Sequence, residues 1–288
     1  MAGVITVGMW REDDTTMGAV LAILDRLRQQ DRRGAVRTSV LTLLAVGGEQ
    51  IEVDDTFDTV HRLGSVQPTR VVVVRVSGRH HHRFDARVGV HLQERGRLCL
   101  GIDDIALEVA GPVTDHLDSL IEPLTLPDLP VVMWCRERLP PARSRLIDVA
   151  DHLVVDSARA GGRARLPALD RLRQRVPVTD FAWLRLLPLR RRLAATMGRV
   201  ELRPLLDEVR AVTVKGPDPE GILLAAWLRT SLPDAAVHEG VGDDSLWSTT
   251  LEGWGWRVGV RQDAECVAVT VERDDHEQWC TTVTAPLP

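Results

Sequence analysis

The sequence lacks the features that mark membrane, secreted and redox proteins. No apolar run among its 288 residues reaches the roughly 18 needed to span a bilayer. The N-terminus lacks the basic start and the small-residue cleavage site of a signal peptide. Its cysteines (Cys99, Cys135, Cys266 and Cys280) never lie within three positions of one another, which excludes a CxxC redox motif and a paired zinc knuckle. We therefore expect a cytoplasmic protein with free thiols, a Cys266–Cys280 disulfide being the less favoured alternative.

The sequence also has no excess of basic residues. It contains 36 Lys and Arg against 41 Asp and Glu, which gives a net charge of −5. Because nucleic-acid-binding proteins neutralise phosphates with a clustered basic face, this balance argues against that function. Hydrophobic residues make up 44% and charged residues 27% of the chain, as in folded globular proteins. The length suits two domains of ordinary size.

The order of apolar runs predicts an α/β fold. Continuous apolar runs such as RVVVVRV at residues 70–76 are typical of parallel strands buried on both faces by helices. Further strands are predicted at residues 38–46, 83–95, 97–109, 130–135 and 152–156, with helices between most of them. The sequence therefore predicts a three-layer N-terminal domain, residues 1–198, with a mostly parallel sheet. Shorter, alternating strands predict a smaller α+β C-terminal domain with antiparallel strands at residues 199–288.

Motifs for catalysis are missing. The sequence has no GxSxG nucleophile elbow, no GxGxxG motif and no P-loop, and so we predict no catalytic residue and no cofactor. Three adjacent histidines, His80 to His82, invite a metal site, but neighbouring residues satisfy tetrahedral geometry poorly. A solvated loop is the better interpretation, and the same holds for the charged residues 274–277. No metal site is predicted.

One segment could bind an anion. Gly161 and Gly162 follow the predicted strand at residues 152–156, and Arg159 and Arg163 flank them. Ligands collect at the carboxyl ends of strands in open α/β sheets, and glycine turns expose backbone N–H groups to phosphates. This segment keeps open an alternative function, an enzyme or binder acting on a sugar phosphate or nucleotide at the carboxyl edge of the N-terminal sheet.

The predicted helix at residues 180–197 combines an apolar side with an arginine-rich side. Trp183 and Arg185 belong to this helix, and Pro188 should kink it. One interpretation is a helix packed on the core with a solvated arginine face. Another is a contact surface, since tryptophan and arginine are enriched in the hot spots of protein interfaces. The two interpretations can apply to different faces.

Several blocks in this order resemble the OpcA family of glucose-6-phosphate dehydrogenase assembly proteins. The most specific are LDSLIEPLTLPDLPVVMW (residues 117–134), DHLVVDS (151–157) and DFAWLRLLPLRRRLA (180–194), and weaker ones are VLTLLAV (40–46), PTRVVVV (68–74) and RFDARVGVH (83–91). The resemblance implies a non-catalytic protein that binds glucose-6-phosphate dehydrogenase and favours its active oligomer, with no cofactor. A diverged paralogue that has lost this partner is the remaining alternative. Within the blocks, the expected partner-binding residues are Trp134, Asp156, Ser157, Asp180, Trp183, Arg185 and Arg190.

Overall fold

The chain folds into two compact units, each with its own sheet and core. The computed structural model describes residues 4–31, 39–64, 69–78, 81–95, 98–200, 202–240, 247–262, 267–273 and 279–283. The first unit comprises Met1–Gly161 and Pro167–Thr179, and the second comprises Gly162–Leu166 and Asp180–Pro288. The predicted α/β class, with one large mostly parallel sheet and one smaller antiparallel-rich sheet, is confirmed.

The large sheet has eight strands in the order β1-β4-β5-β3-β2-β6-β7-β8. These strands are β1 (Val4–Glu12), β2 (Leu41–Gly47), β3 (Thr69–Ser77), β4 (Arg83–Arg95), β5 (Leu98–Ala110), β6 (Val131–Cys135), β7 (His152–Val155) and β8 (Val178–Asp180). The α-helices of this unit are α1 (Met17–Gln29), α2 (Val53–Gly64), α3 (Leu117–Ile121) and α4 (Leu166–Arg173).

Helices cover both faces of the large sheet. On β3, Val72 and Val74 point into one core, which also contains side chains of α1, α3 and α4. Val71 and Val73 point into the opposite core, with Phe57 of α2. Successive side chains of a strand point to opposite faces, so a run of four buried valines requires a helical layer on each side. The predicted three-layer arrangement follows from this alternation.

The strand order places a topological switch point between β2 and β6. The chain moves from β2 through α2 to β3, and continues to β4 and β5 on that side of the sheet. It then crosses to β6 and β7 on the other side of β2. β2 pairs in parallel with β3 and with β6, and β6 pairs in parallel with β7. Ligands of open α/β sheets bind outside the carboxyl ends of the strands at such a point.

The second unit is a six-stranded sheet with a helical layer on one face, in the strand order β10-β9-β11-β12-β13-β14. Its strands are β9 (Ala211–Lys215), β10 (Ala236–Glu239), β11 (Trp247–Gly253), β12 (Trp256–Gln262), β13 (Val267–Arg273) and β14 (Trp279–Val283). Its helices are α5 (Phe181–Arg185), α6 (Leu187–Met197) and α7 (Glu220–Ser231). β9 and β10 are parallel, and the other pairs are antiparallel.

Several local predictions differ from the structure. The expected domain boundary after residue 198 differs from the observed division because Leu186, Leu189 and Leu193 pack in the core of the second unit. The single helix predicted at residues 180–197 is two helices separated at Leu186, with Pro188 in the first turn of α6. Between β6 and β7, where the alternation of strands and helices favours a helix, the structure has a short 3₁₀ turn, Arg145–Val149. Within the described residues, every helix is too short or too polar to cross a membrane.

Candidate functional site

The pair of helices α5 and α6 carries four of the residues that the sequence assigned to partner binding. Asp180 begins α5, and its Oδ1 accepts a hydrogen bond from the backbone N–H of Ala182 at 3.0 Å. A carboxylate in this position satisfies an N–H that has no partner within the helix. Asp180 is buried, and this hydrogen bond gives it a structural role as the N-cap of α5.

Arg185 holds the end of α5 against the start of α7. Its Nε and one terminal nitrogen donate to the same oxygen of Glu220, at 3.0 and 2.7 Å. The Glu220 side chain is 8% exposed, whereas that of Arg185 is 47% exposed. A buried carboxylate is stable only when it is paired, so this contact fixes where α5 lies on the second unit.

Trp183 and Arg190 form a stacked pair. The Arg190 guanidinium carbon lies 3.5 Å from the centre of the Trp183 ring, close enough for a cation–π interaction. Burial lowers the pKa of Arg190, and the neighbouring charge of Arg191 lowers this pKa further. The stack joins α5 to α6 across the break at Leu186. Both residues therefore have structural roles within the second unit.

Phe181 and Leu184 are the large apolar side chains of α5 that remain in solvent. They are 37% and 44% exposed, whereas Ala182 and Leu186 are buried. Positions three and four apart share one side of a helix, so Phe181, Leu184 and Arg185 lie on the side opposite the core. We call these three residues the α5 patch. The sequence predicts an apolar side for this helix but cannot show that Phe181 and Leu184 are exposed.

The other three predicted partner-binding residues lie in the first unit. Trp134 is half-buried on β6, with the Arg136 guanidinium 5.0 Å from the ring centre. Asp156 and Ser157 follow β7 and are buried, and the Asp156 carboxylate lies 3.7 Å from Arg159 Nε. Because Trp134 pairs in register with Val154, these residues share the carboxyl edge of the large sheet. Their role in partner binding stays a prediction.

The segment predicted to bind an anion has internal partners for both of its arginines. Arg159 pairs with Asp156, and Arg163 lies 3.2 Å from Glu239. Gly161 and Gly162 adopt positive φ angles of 116° and 61°, which favour glycine. The turn that follows Gly161 is a 3₁₀ turn of four residues, Gly162–Arg165. Both arginine side chains remain largely exposed, 76% for Arg159 and 65% for Arg163, and anion binding here stays a prediction.

The topological switch point of the large sheet is lined by charged side chains. Glu137 follows β6, and its Oε2 lies 3.7 Å from the place where a Cβ on Gly48 would stand. Asp54 and Asp55 occupy the first turn of α2, where a phosphate would otherwise find free N–H groups. Both of these carboxylates are paired with arginines, Asp54 with Arg87 and Asp55 with Arg136, so this edge of the sheet carries charges of both signs.

A buried histidine–aspartate cluster is the arrangement closest to a reactive group. Asp104 on β5 lies 2.9 Å from His61 Nε2 and 3.3 Å from His91 Nε2. The hydroxyl of Thr6 lies 3.2 Å from Nδ1 of His91, so a hydroxyl, an imidazole and a carboxylate stand in line. The sequence gave no signal for this cluster because its members come from α2, β4, β5 and β1. Its contacts tie α2 to the sheet.

The cluster shifts two pKa values in opposite directions. The hydrogen bond with Asp104 raises the pKa of His61, and this effect outweighs the opposing effect of burial. Burial tends to raise the pKa of Asp104, but the hydrogen bonds from His61 and His91 outweigh it and lower this pKa. Both shifts favour the charged pair in the folded state.

Three pockets of the described residues differ in the chemistry of their lining. A pocket of about 680 Å³ in the second unit is lined largely by apolar side chains of α6 and α7, including Leu193, Met197 and Trp227. Two pockets of about 210 Å³ each in the first unit are lined by charged side chains that pair with one another. The pairs are Arg75–Glu108, Arg83–Asp85 and Arg87–Asp54.

The metal and cysteine predictions fall partly on residues that the structure describes and partly on residues outside them. In the part of the chain that the structure describes, no group of three His, Cys, Asp or Glu side chains is placed to hold a metal ion. Cys99 and Cys135 are free thiols, and burial raises the pKa of Cys135 to about 12. His80, Cys266 and residues 274–277 lie outside the described residues, as does the alternative disulfide.

Besides Phe181 of the α5 patch, a second aromatic side chain is exposed, and the sequence did not predict it. Trp254, in the turn between β11 and β12, is 70% exposed. The Arg210 guanidinium carbon lies 3.8 Å from the centre of its ring. An exposed tryptophan stacked on arginine has the composition of an interface hot spot. The sequence showed only a tryptophan beside glycine, and nothing in that pattern distinguishes an exposed ring from a buried one.

Family models match both parts of the chain. Residues 60–174 match the N-terminal domain of a glucose-6-phosphate dehydrogenase subunit, and residues 176–286 match the C-terminal domain. Both models bear the name OpcA. No curated protein matches the sequence. The two matches meet close to Thr179, where the structure divides the chain.

The histidine cluster predicts that stability falls as pH rises through neutrality. A pKa raised in the folded state means that the folded protein binds the proton more tightly, so the His61 contribution is complete below the ordinary pKa of 6.5 and is lost as pH passes the folded pKa. Urea unfolding followed by circular dichroism between about pH 6 and pH 8 measures this loss. His61→Gln should flatten the dependence. An equally steep dependence in the variant would contradict the prediction.

The Arg185–Glu220 contact predicts that removing only the arginine destabilises the protein more than removing both charges. Arg185→Ala leaves a buried carboxylate without this partner and should lower the free energy of unfolding by about 1–3 kcal/mol. Adding Glu220→Gln removes the charge and should recover part of the loss. Urea unfolding of the wild type, the single variant and the double variant completes the test. No recovery in the double variant would show that the charge of Glu220 is not the cause.

Proposed function

The chain belongs to the OpcA family of glucose-6-phosphate dehydrogenase assembly proteins, and from this membership we propose that it is a non-catalytic protein that binds glucose-6-phosphate dehydrogenase and favours its active oligomer. The family matches carry this proposal, because together they extend over both structural units. The protein would act in the cytoplasm, on the first enzyme of the oxidative pentose phosphate pathway.

Assembly by a binding protein has a simple thermodynamic requirement. The protein must bind the active oligomer more tightly than the separated or inactive dehydrogenase. A difference of about 2–3 kcal/mol, within the range of known coupling free energies, changes the ratio of the two states roughly 30- to 150-fold. No chemical step on the protein is needed for such an effect.

The reactive groups of the described residues support a non-catalytic function. The buried Cys135 thiol has a pKa of about 12, and a thiol rather than a nucleophilic thiolate is present at neutral pH. The charged side chains that line the pockets of the first unit are paired with one another. The pocket of the second unit is lined mainly by apolar side chains, which offer a surface for packing.

We propose that the α5 patch contacts the dehydrogenase. Phe181 and Leu184 expose apolar area next to the charged head of Arg185, whose position is fixed by Glu220. Anchors that are already rigid lose little entropy on binding, which favours affinity. Trp183, Arg190 and Asp180 support this patch from behind, through the stack and the N-cap.

Removing the two exposed apolar side chains should weaken binding without unfolding the protein. Phe181→Ser/Leu184→Ser should raise the Kd for purified dehydrogenase about tenfold or more, since central apolar anchors contribute most of the affinity of an interface. Biolayer interferometry measures the Kd, and circular dichroism checks the fold. Substituting Trp183 or Arg185 is less informative because both residues also hold α5 in place.

Met9→Ser is the matched control, because Met9 is a similarly apolar side chain, 59% exposed, in the first unit. It should leave the Kd unchanged. If the wild-type protein fails to bind the dehydrogenase, the proposed function is wrong. If the wild type and the Phe181→Ser/Leu184→Ser variant bind equally well, the function stands and the assignment of the α5 patch is wrong.

A further inference from the structure

Trp254 and Arg210 are held rigidly on the ends of three strands. The backbone N–H of Arg210 donates to the carbonyl of Glu252 at 2.9 Å, and the Arg210 carbonyl accepts from Ala236 at 2.7 Å. Trp254 occupies the two-residue turn with Gly255, whose φ of 69° favours glycine. An exposed aromatic ring on a rigid hairpin, with its cation already stacked, is prepared for contact with another protein. We call this pair the hairpin patch.

The hairpin patch and the α5 patch lie at opposite ends of the second unit. Arg210 immediately precedes β9, and α7 starts beyond the other end of that strand. Arg185 of the α5 patch binds Glu220, the first residue of α7. The helix then returns along β9, and β10 begins with Ala236, which donates to Arg210. The 12 residues of α7 therefore separate the two patches, by about 18 Å at 1.5 Å per residue.

We infer that the hairpin patch binds a second dehydrogenase subunit, so that one chain bridges two subunits. This inference rests on the proposed function, and it supplies a mechanism for that function. A protein that contacts one subunit through one patch cannot by itself link two subunits. A protein with two patches makes the second contact intramolecular, with an effective concentration that favours the assembled state.

The partner surface expected at the hairpin patch is an apolar protein surface bearing carboxylates. The ring of Trp254 offers a large, rigid apolar face, and Arg210 offers a delocalised cation that pairs with carboxylates. Glu252 is already paired with Arg257 at 2.8 Å and adds no free negative charge beside the ring. A dehydrogenase subunit bound to the α5 patch leaves this end of the unit available to another.

The test compares Trp254→Ala with the α5 variant at dehydrogenase concentrations at which the enzyme alone dissociates. Sedimentation velocity measures the mass of the complexes, and interferometry measures affinity. Trp254→Ala should still bind through the α5 patch but should form complexes with a single dehydrogenase subunit. The dehydrogenase concentration needed for half-maximal assembly should rise about tenfold or more. Trp254→Phe should retain part of the effect, and Met9→Ser all of it.

A titration gives an independent measurement. A chain that bridges two subunits should promote assembly up to an optimal ratio, and a large excess should reverse the effect because separate chains then occupy every site. Normal assembly by Trp254→Ala, or complete loss of its binding, would overturn the inference. Self-association of the wild-type chain that Trp254→Ala abolishes would also overturn it. A wild-type chain that never binds dehydrogenase would overturn the proposed function as well.

Discussion

The contact between Arg185 and Glu220 is the interaction on which the candidate surface depends. Glu220 lies buried at the first turn of α7, where a carboxylate needs a cation within hydrogen-bond distance. Arg185 supplies that cation from the end of a helix of only five residues. So short a helix has little stability of its own, and its position is set by its contacts. Once Arg185 is fixed, Ala182 faces the core, and Phe181 and Leu184 face solvent.

The sequence predicted the large sheet because its central strands are unusually uniform. β3 is buried on both faces, so its composition alone identifies it, and β2 and β6 are nearly as clear. β8 and β10 have three and four residues, too few for a period of two to emerge. β1 was missed because polar residues interrupt its apolar ones. The two helices at residues 181–197 were merged because Leu186 and Pro188 fit either arrangement.

The site was harder to predict because exposure is a property of the fold. Resemblance to a family identified Asp180, Trp183 and Arg190, and the structure gives each of them a contact within the second unit. Whether they also touch a partner stays a prediction. Trp254 and Trp256 flank the same glycine in the sequence, yet the first is exposed and the second is buried. The turn decides this difference, since Trp256 enters β12 and points into the core.

The large sheet has a topology that in other proteins supports ligand binding, and its switch point is lined by charged side chains that pair with one another. The crevice at the switch point between β2 and β6 presents Glu137 and the acidic first turn of α2. Arg136, which follows β6, pairs with Asp55 of that turn, so the crevice carries charges of both signs and the acidic residues there have internal partners. In the second unit, by contrast, apolar rings and guanidinium groups remain exposed on rigid elements. Single exposed apolar side chains are common on folded proteins, but here Phe181 and Leu184 adjoin Arg185, and Trp254 stacks on Arg210, which is the combination that we propose for binding a partner.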